Sequence, residues 1–106
     1  MLKVIAPFRF VDGKPKEESL AHWNEKHPDV VRKCIPTAER YVQNVPIRIS
    51  DRTWSFDGVS ELWFRDMDAL KRGFEDPELQ AELHADEDVF AKREELWLIS
   101  TEIPIW

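Results

Sequence analysis

The stretch HWNEKHPDV, residues 22–30, holds two of the chain's three histidines, five positions apart, with a proline directly after the second. An imidazole titrates near pH ~6.5, so at neutral pH it can take up or release a proton if a sheltered pocket holds it in place. On a helix advancing about 100° per residue the two rings point in different directions. His27 falls in line with Leu20, Trp23, Val30 and Cys34 on an apolar stripe. His22 shares its side with Ser19, Lys26, Asp29 and Lys33, which predicts a solvated residue or a dimer contact. Pro28 has no N–H, so the carbonyl of Asn24 should lose its helical partner and the helix should kink or restart beside His27. Two readings of His27 follow: an acid/base group facing a cavity, or a core histidine satisfied by a backbone carbonyl.

Other residues could serve the same chemistry. Tyr41 shares a strand face with Gln43, Val45 and Ile47, and its phenol could donate to a developing enolate oxygen or simply fill a barrel rim. Glu61 alternates with Val59 and Trp63; a carboxylate among apolar groups could orient His27, act as a base, or sit in a structural pair with Arg40 or Arg48. Phe8, Trp23, Trp54 and Trp63 are candidate walls for a flat ring, with Trp54 in the loop SDRTWSF placed to close over it. The run His84 to Asp88 lacks both calcium-loop and zinc spacing, so no metal site is expected and Asp86 to Asp88 read as a solvated acidic turn. Cys34, the single cysteine, reads as packing rather than as a nucleophile.

The elements that would position these groups follow from periodicity. LKVIAPFRF (2–10) alternates with Leu2, Val4, Ala6, Phe8 and Phe10 on one face, as a strand does. An amphipathic helix runs from Lys16 to near Ile35-Pro36. RYVQNVPIRI (40–49) reads as a second strand that Pro46 confines to an edge or bulge, and GVSELWF (58–64) as a third. Asp66 caps a helix interrupted at Pro77, residues 85–90 are ambiguous between helix and turn, and LWLISTEIPI (96–105) reads as the last strand. The order β-α-β-β-α-β is that of an α+β, ferredoxin-like domain spanning residues 1–106, an antiparallel four-stranded sheet with two helices on one face. Apolar residues on both faces of the last strand predict a second copy against the open face, giving a homodimer.

Composition narrows the classes. With 42% apolar and 34% charged residues among 106, the chain suits one globular domain rather than a disordered tail. Fifteen basic against 21 acidic residues, net −6, argue against nucleic acid or an anionic membrane surface as partner. No apolar run approaches the ~20 residues of a membrane span, the start lacks a cleavage signal, and the lone cysteine fits a reduced, cytoplasmic setting.

The residues H-W-x-x-x-H-P-x-V (22–30), R-Y-V-Q-N (40–44), F-D-G-V-x-E-L-W-F (56–64) and D-E-D-x-F (86–90) together resemble the EthD-like family of the dimeric α+β barrel superfamily. The resemblance implies ferredoxin-like subunits paired through their sheets, a pocket between helix and sheet in each, and no obligatory cofactor. His27 and Tyr41 match the family's helix histidine and the tyrosine opening the second strand. In the methylmuconolactone isomerase branch an acid/base cysteine follows the third-strand glutamate; here Leu62 stands there. The expected function is cofactor-free acid/base chemistry on a small cyclic or aromatic oxygenated metabolite: isomerisation, cyclisation, dehydration or decarboxylation of a lactone, polyketide or phenolic ring. The alternatives are a non-catalytic small-molecule-binding or accessory protein, and haem binding through a helix histidine.

Overall fold

The computed structural model describes residues 1–94 and 96–106. Four strands, β1 (Leu2–Phe8), β2 (Arg40–Asn44), β3 (Gly58–Phe64) and β4 (Leu98–Thr101), form one sheet in the order β2-β3-β1-β4, with antiparallel neighbours throughout. The predicted first helix is a continuous stretch in three parts: α1 (Lys16–Ala21), a π-helical turn (His22–Lys26) and α2 (His27–Cys34). The predicted second helix is two, α3 (Met67–Gly73) and α4 (Pro77–Phe90). Each starts at an aspartate that accepts backbone N–H bonds, Asp66 from Ala69 and Asp76 from Glu78 and Leu79. Residues 85–90 are helical.

Register sorts the side chains. Val4 pairs with Leu62, and Tyr41 with Leu62 from the other side, so these share the face that packs on the helices. Val4, Leu62 and Phe64 form the main core there with Val31, Cys34, Ile35, Leu70 and Leu83. A smaller aromatic core holds Phe10, Trp23 and Phe90 with Phe8 against them. Phe8 meets Trp23 and Phe90 edge-on, at centroid distances of 4.8 and 5.6 Å, contacts worth about 0.5–1.5 kcal/mol each beyond their burial. This corner needs a glycine at 58, because a Cβ there would come within 2.8 Å of both the Phe8 and Trp23 rings.

The opposite face carries Ile5, Val42, Glu61 and Leu98, joined by the registers Ile5–Glu61, Ile5–Leu98 and Val42–Glu61. Leu98 is 51% exposed on it. Several strands are shorter than their apolar patterns suggest. β1 ends at Phe8, with Phe10 making an isolated bridge to Ala91, and β2 stops at Asn44, two residues before Pro46. β4 covers only Leu98–Thr101, and beyond it Ile103, Ile105 and Trp106 are exposed.

Candidate functional site

A cavity of about 770 Å³ opens between the sheet and the helices; Phe8, Trp23, His27, Tyr41, Glu87 and Phe90 are among its lining residues. His27 is only 5% exposed and lies edge-on to Phe90. Its Nδ1 is 2.6 Å from Oδ2 of Asp86, and Oδ1 of the same carboxylate is 2.9 Å from Nε2 of His22. An ionised carboxylate only accepts, so each imidazole donates to it: His27 carries its proton on Nδ1 and His22 on Nε2. The Nε2 of His27 makes no hydrogen bond among the described residues, which leaves its lone pair as the basic atom on a cavity-lining ring.

Burial is the largest influence on His27 and sets its pKa below the ordinary imidazole value, against the opposing pull of the Asp86 carboxylate. For Asp86 burial acts in the other direction, but the bonds from His27 and His22 outweigh it and hold the carboxyl below its usual range. At neutral pH the pair is therefore a neutral imidazole held by a carboxylate. The next residue behaves differently. Glu87 is pushed up to about 7, chiefly by burial, with Asp88 and Asp86 adding to the rise and Arg93 opposing it. Its side chain is 43% accessible, but it faces the walled cavity rather than open solvent, so its desolvation is partial.

Across the cavity, the phenol oxygen of Tyr41 accepts a hydrogen bond from Nε2 of Gln43 at 2.8 Å. Burial pushes the Tyr41 pKa up, against donors at Gln43, Ser60 and Trp23. The phenol thus stays protonated, and its own hydrogen is left to donate.

The structure brings together some of the expected residues and separates others. His27, Tyr41, Trp23 and Phe8 line the one cavity. Glu61 does not: it lies on the opposite face of the sheet, bonded to Lys3 at 3.0 Å rather than to Arg40 or Arg48, and approached by Asn44. Trp63 is on that face too, under the ammonium of Lys3 and the guanidinium of Arg40, with its indole N–H donated to Glu102. Trp54 sits 44% exposed in its loop and does not line the cavity. His22 is not on the solvent side. In a π turn the bond closes from residue i to i+5, which stacks His27 nearly over His22 and lets both reach one carboxylate. Ser19, grouped with it as solvated, is fully buried. The acidic run is helical rather than a solvated turn, and supplies Asp86 and Glu87. Among the described residues, no three His, Cys, Asp or Glu side chains are grouped as a metal would require, and no helix is long and apolar enough to cross a membrane.

Sheet order, register and helix placement define a ferredoxin-like α+β fold, and the known structures that resemble it agree. An EthD-family protein from Bacillus halodurans superimposes with a TM-score of 0.75 at 22% identity, covering 97% of this chain and 99% of that one. HapK from Hahella chejuensis gives 0.70 at 16%, covering 97% and 93%, and SnoaB from Streptomyces nogalater 0.63 at 14%, again covering 97% and 93%. The EthD domain matches residues 12–94, and the chain belongs to the EthD family. No curated protein matches it in sequence.

Proposed function

We propose that this protein is a cofactor-independent acid/base catalyst for a small cyclic or aromatic oxygenated molecule such as a lactone, a polyketide-derived ring or a phenolic compound. The observation that carries this reading is the His27–Asp86 pair on a cavity that also takes in Tyr41. His27 Nε2 removes a proton from carbon next to a carbonyl, and Asp86 stabilises the imidazolium that forms. Tyr41 donates its hydroxyl hydrogen to the oxygen that gains negative charge. Glu87, close to half-protonated at neutral pH, returns a proton at a second position and is recharged from His27, so that an isomerisation is balanced with no added reactant. Phe8, half-buried at the cavity and backed by the buried Trp23 and Phe90, supplies a flat apolar wall that a ring would contact. SnoaB is a cofactor-independent oxygenase, which supports chemistry by side chains alone within this fold.

The same reading includes a homodimer through the open sheet face. One of the structures similar to this chain, from Bacteroides fragilis, is a dimeric protein with the ferredoxin-like fold, and the exposed Leu98 with Ile5 beside it, in the row that continues through Glu61 to Val42, is the surface a second copy would cover.

Hydrogen exchange at carbon tests proton transfer without knowledge of the natural substrate. With 2-tetralone as probe in deuterated buffer, the protein should speed deuterium uptake next to the carbonyl, and His27→Ala should remove ~10²–10⁴-fold of that rate. Binding of the probe with no exchange, in the wild type, would favour the accessory, ligand-holding reading instead. An exchange rate unchanged by His27→Ala would eliminate the mechanism.

A further inference from the structure

The π turn leaves one backbone group without a helical partner. The N–H of His27, which would serve the carbonyl of Trp23 in a regular α-helix, bonds instead to the carbonyl of His22. The alternative donor one residue on is Pro28, which has no N–H. Trp23 is fully buried, so an unmet carbonyl there would be costly. The side chain of Gln43 on β2 fills the gap, with its Nε2 2.6 Å from the Trp23 oxygen.

That contact determines what happens at Tyr41. A carbonyl oxygen only accepts, so the nitrogen end of the Gln43 amide, and not its oxygen, has to face inward. The amide has two hydrogens: one goes to Trp23, and the other points to the Tyr41 oxygen at 2.8 Å. The phenol oxygen is thus an acceptor from Gln43, and its own hydrogen is directed elsewhere.

We propose that Gln43 is the positioning residue of the site: anchored on the carbonyl freed by the π turn and Pro28, it fixes the Tyr41 hydroxyl as a donor toward the bound molecule. This rests on the acid/base reading above. Gln43 touches no reacting atom; it acts through Tyr41.

Tyr41 is the single tyrosine of the chain, so ultraviolet titration of the phenol reports this residue alone and needs no turnover. Gln43→Met should move that titration to higher pH, because a donor to the phenolate is lost. Pro28→Ala restores an N–H able to serve Trp23, releases Gln43, and should shift the titration in the same direction in a protein that has gained a backbone bond. A phenol that titrates identically in wild type and both variants overturns the proposal. With 2-tetralone, Gln43→Met should lower kcat for exchange about tenfold with little change in KM, and the Gln43→Met/Tyr41→Phe double variant should be no slower than Tyr41→Phe alone. Losses that add instead overturn it as well. Absence of exchange in the wild type would sink the catalytic reading while the titration still judges the role of Gln43, so the two failures are distinct.

Discussion

Asp86→Asn is the substitution on which most of the site depends, and its cost can be worked from the geometry. The carboxylate accepts from His27 at 2.6 Å and from His22 at 2.9 Å. Charge-assisted bonds of this type contribute about 1.5–3 kcal/mol each. An amide of the same shape keeps one acceptor oxygen but turns an NH₂ toward the other imidazole, which must then change tautomer or lose its bond. With the aspartate side chain 18% exposed, water offsets part of the loss, and a destabilisation of ~2 kcal/mol is expected, or roughly a 10 °C fall in Tm for a domain of this size. The loss also depends on pH. His27 has a folded pKa below its unfolded value, so the stability it contributes is present above about pH 6.5 and declines as acid protonates the unfolded chain first. Removing Asp86 lowers the folded value further, so the gap between variant and wild type should widen as pH falls from 7 toward 4. Asp86 itself has a depressed folded pKa; its contribution is present above the ordinary carboxylate value and lost as pH falls through the folded one, so below about pH 4 the gap should close. Thermal denaturation followed by circular dichroism at pH 7, 5.5, 4 and 3 measures this. A variant melting within about 2 °C of wild type at every pH would refute the idea that the two-histidine clasp supports the fold or orients His27.

Glu87→Gln should behave in the opposite sense: a folded pKa raised to about 7 means that stability falls as pH rises from the unfolded carboxylate value through 7, so the variant should melt with wild type at pH 4 and above it at pH 8. If Glu87 supplies the returning proton, wild-type exchange with 2-tetralone should decline above pH 7, and the Gln variant should be slow at every pH. Leu98→Asp places a charge on the open sheet face, and should halve the mass measured by light scattering; a monomeric wild type, or a variant that still pairs, would dispose of the sheet-face dimer.

Much of the framework was legible in the residues. GVSELWF spans β3 to the residue, and of the stripe Leu20, Trp23, His27, Val30 and Cys34 the middle and end, Trp23, His27 and Cys34, are buried while Leu20 and Val30 are half-buried at its margin, because a period of three and four identifies an inward face whichever partner lies beneath it. Glu61 shows where this stops. Its alternation with Val59 and Trp63 is correct, but both faces of β3 carry bulky apolar groups, and alternation cannot say which of two similar faces meets the helices. Asp86 was hidden for another reason. In the run DED nothing local distinguishes it from its neighbours, and its partner lies 59 positions away. The 100° rule puts His22 on the wrong side because it assumes a regular α-helix throughout, and the turn at 22–26 is π-helical. Pro28 signals a disturbance next to His27, and the π turn frees the carbonyl of Trp23 as well, which the proline alone does not reveal. Alternation puts Gln43 on the Tyr41 face, yet its role depends on a backbone group 20 positions earlier.

The π turn also has a consequence for how the chain tolerates changes in length. A turn closed at i to i+5 holds one residue more than its α counterpart, so deleting any residue between 22 and 26 lets the helix wind uniformly. The segments before and after the turn then keep their mutual rotation, because the wider turn is what absorbs the extra residue, and the two histidines become i and i+4 neighbours on one face of a regular α-helix. The clasp is therefore a matter of counting as much as of chemistry: a spacing of five closes on one carboxylate only through the wider turn, whereas a chain shorter by one there would bring the same rings together in a uniform helix.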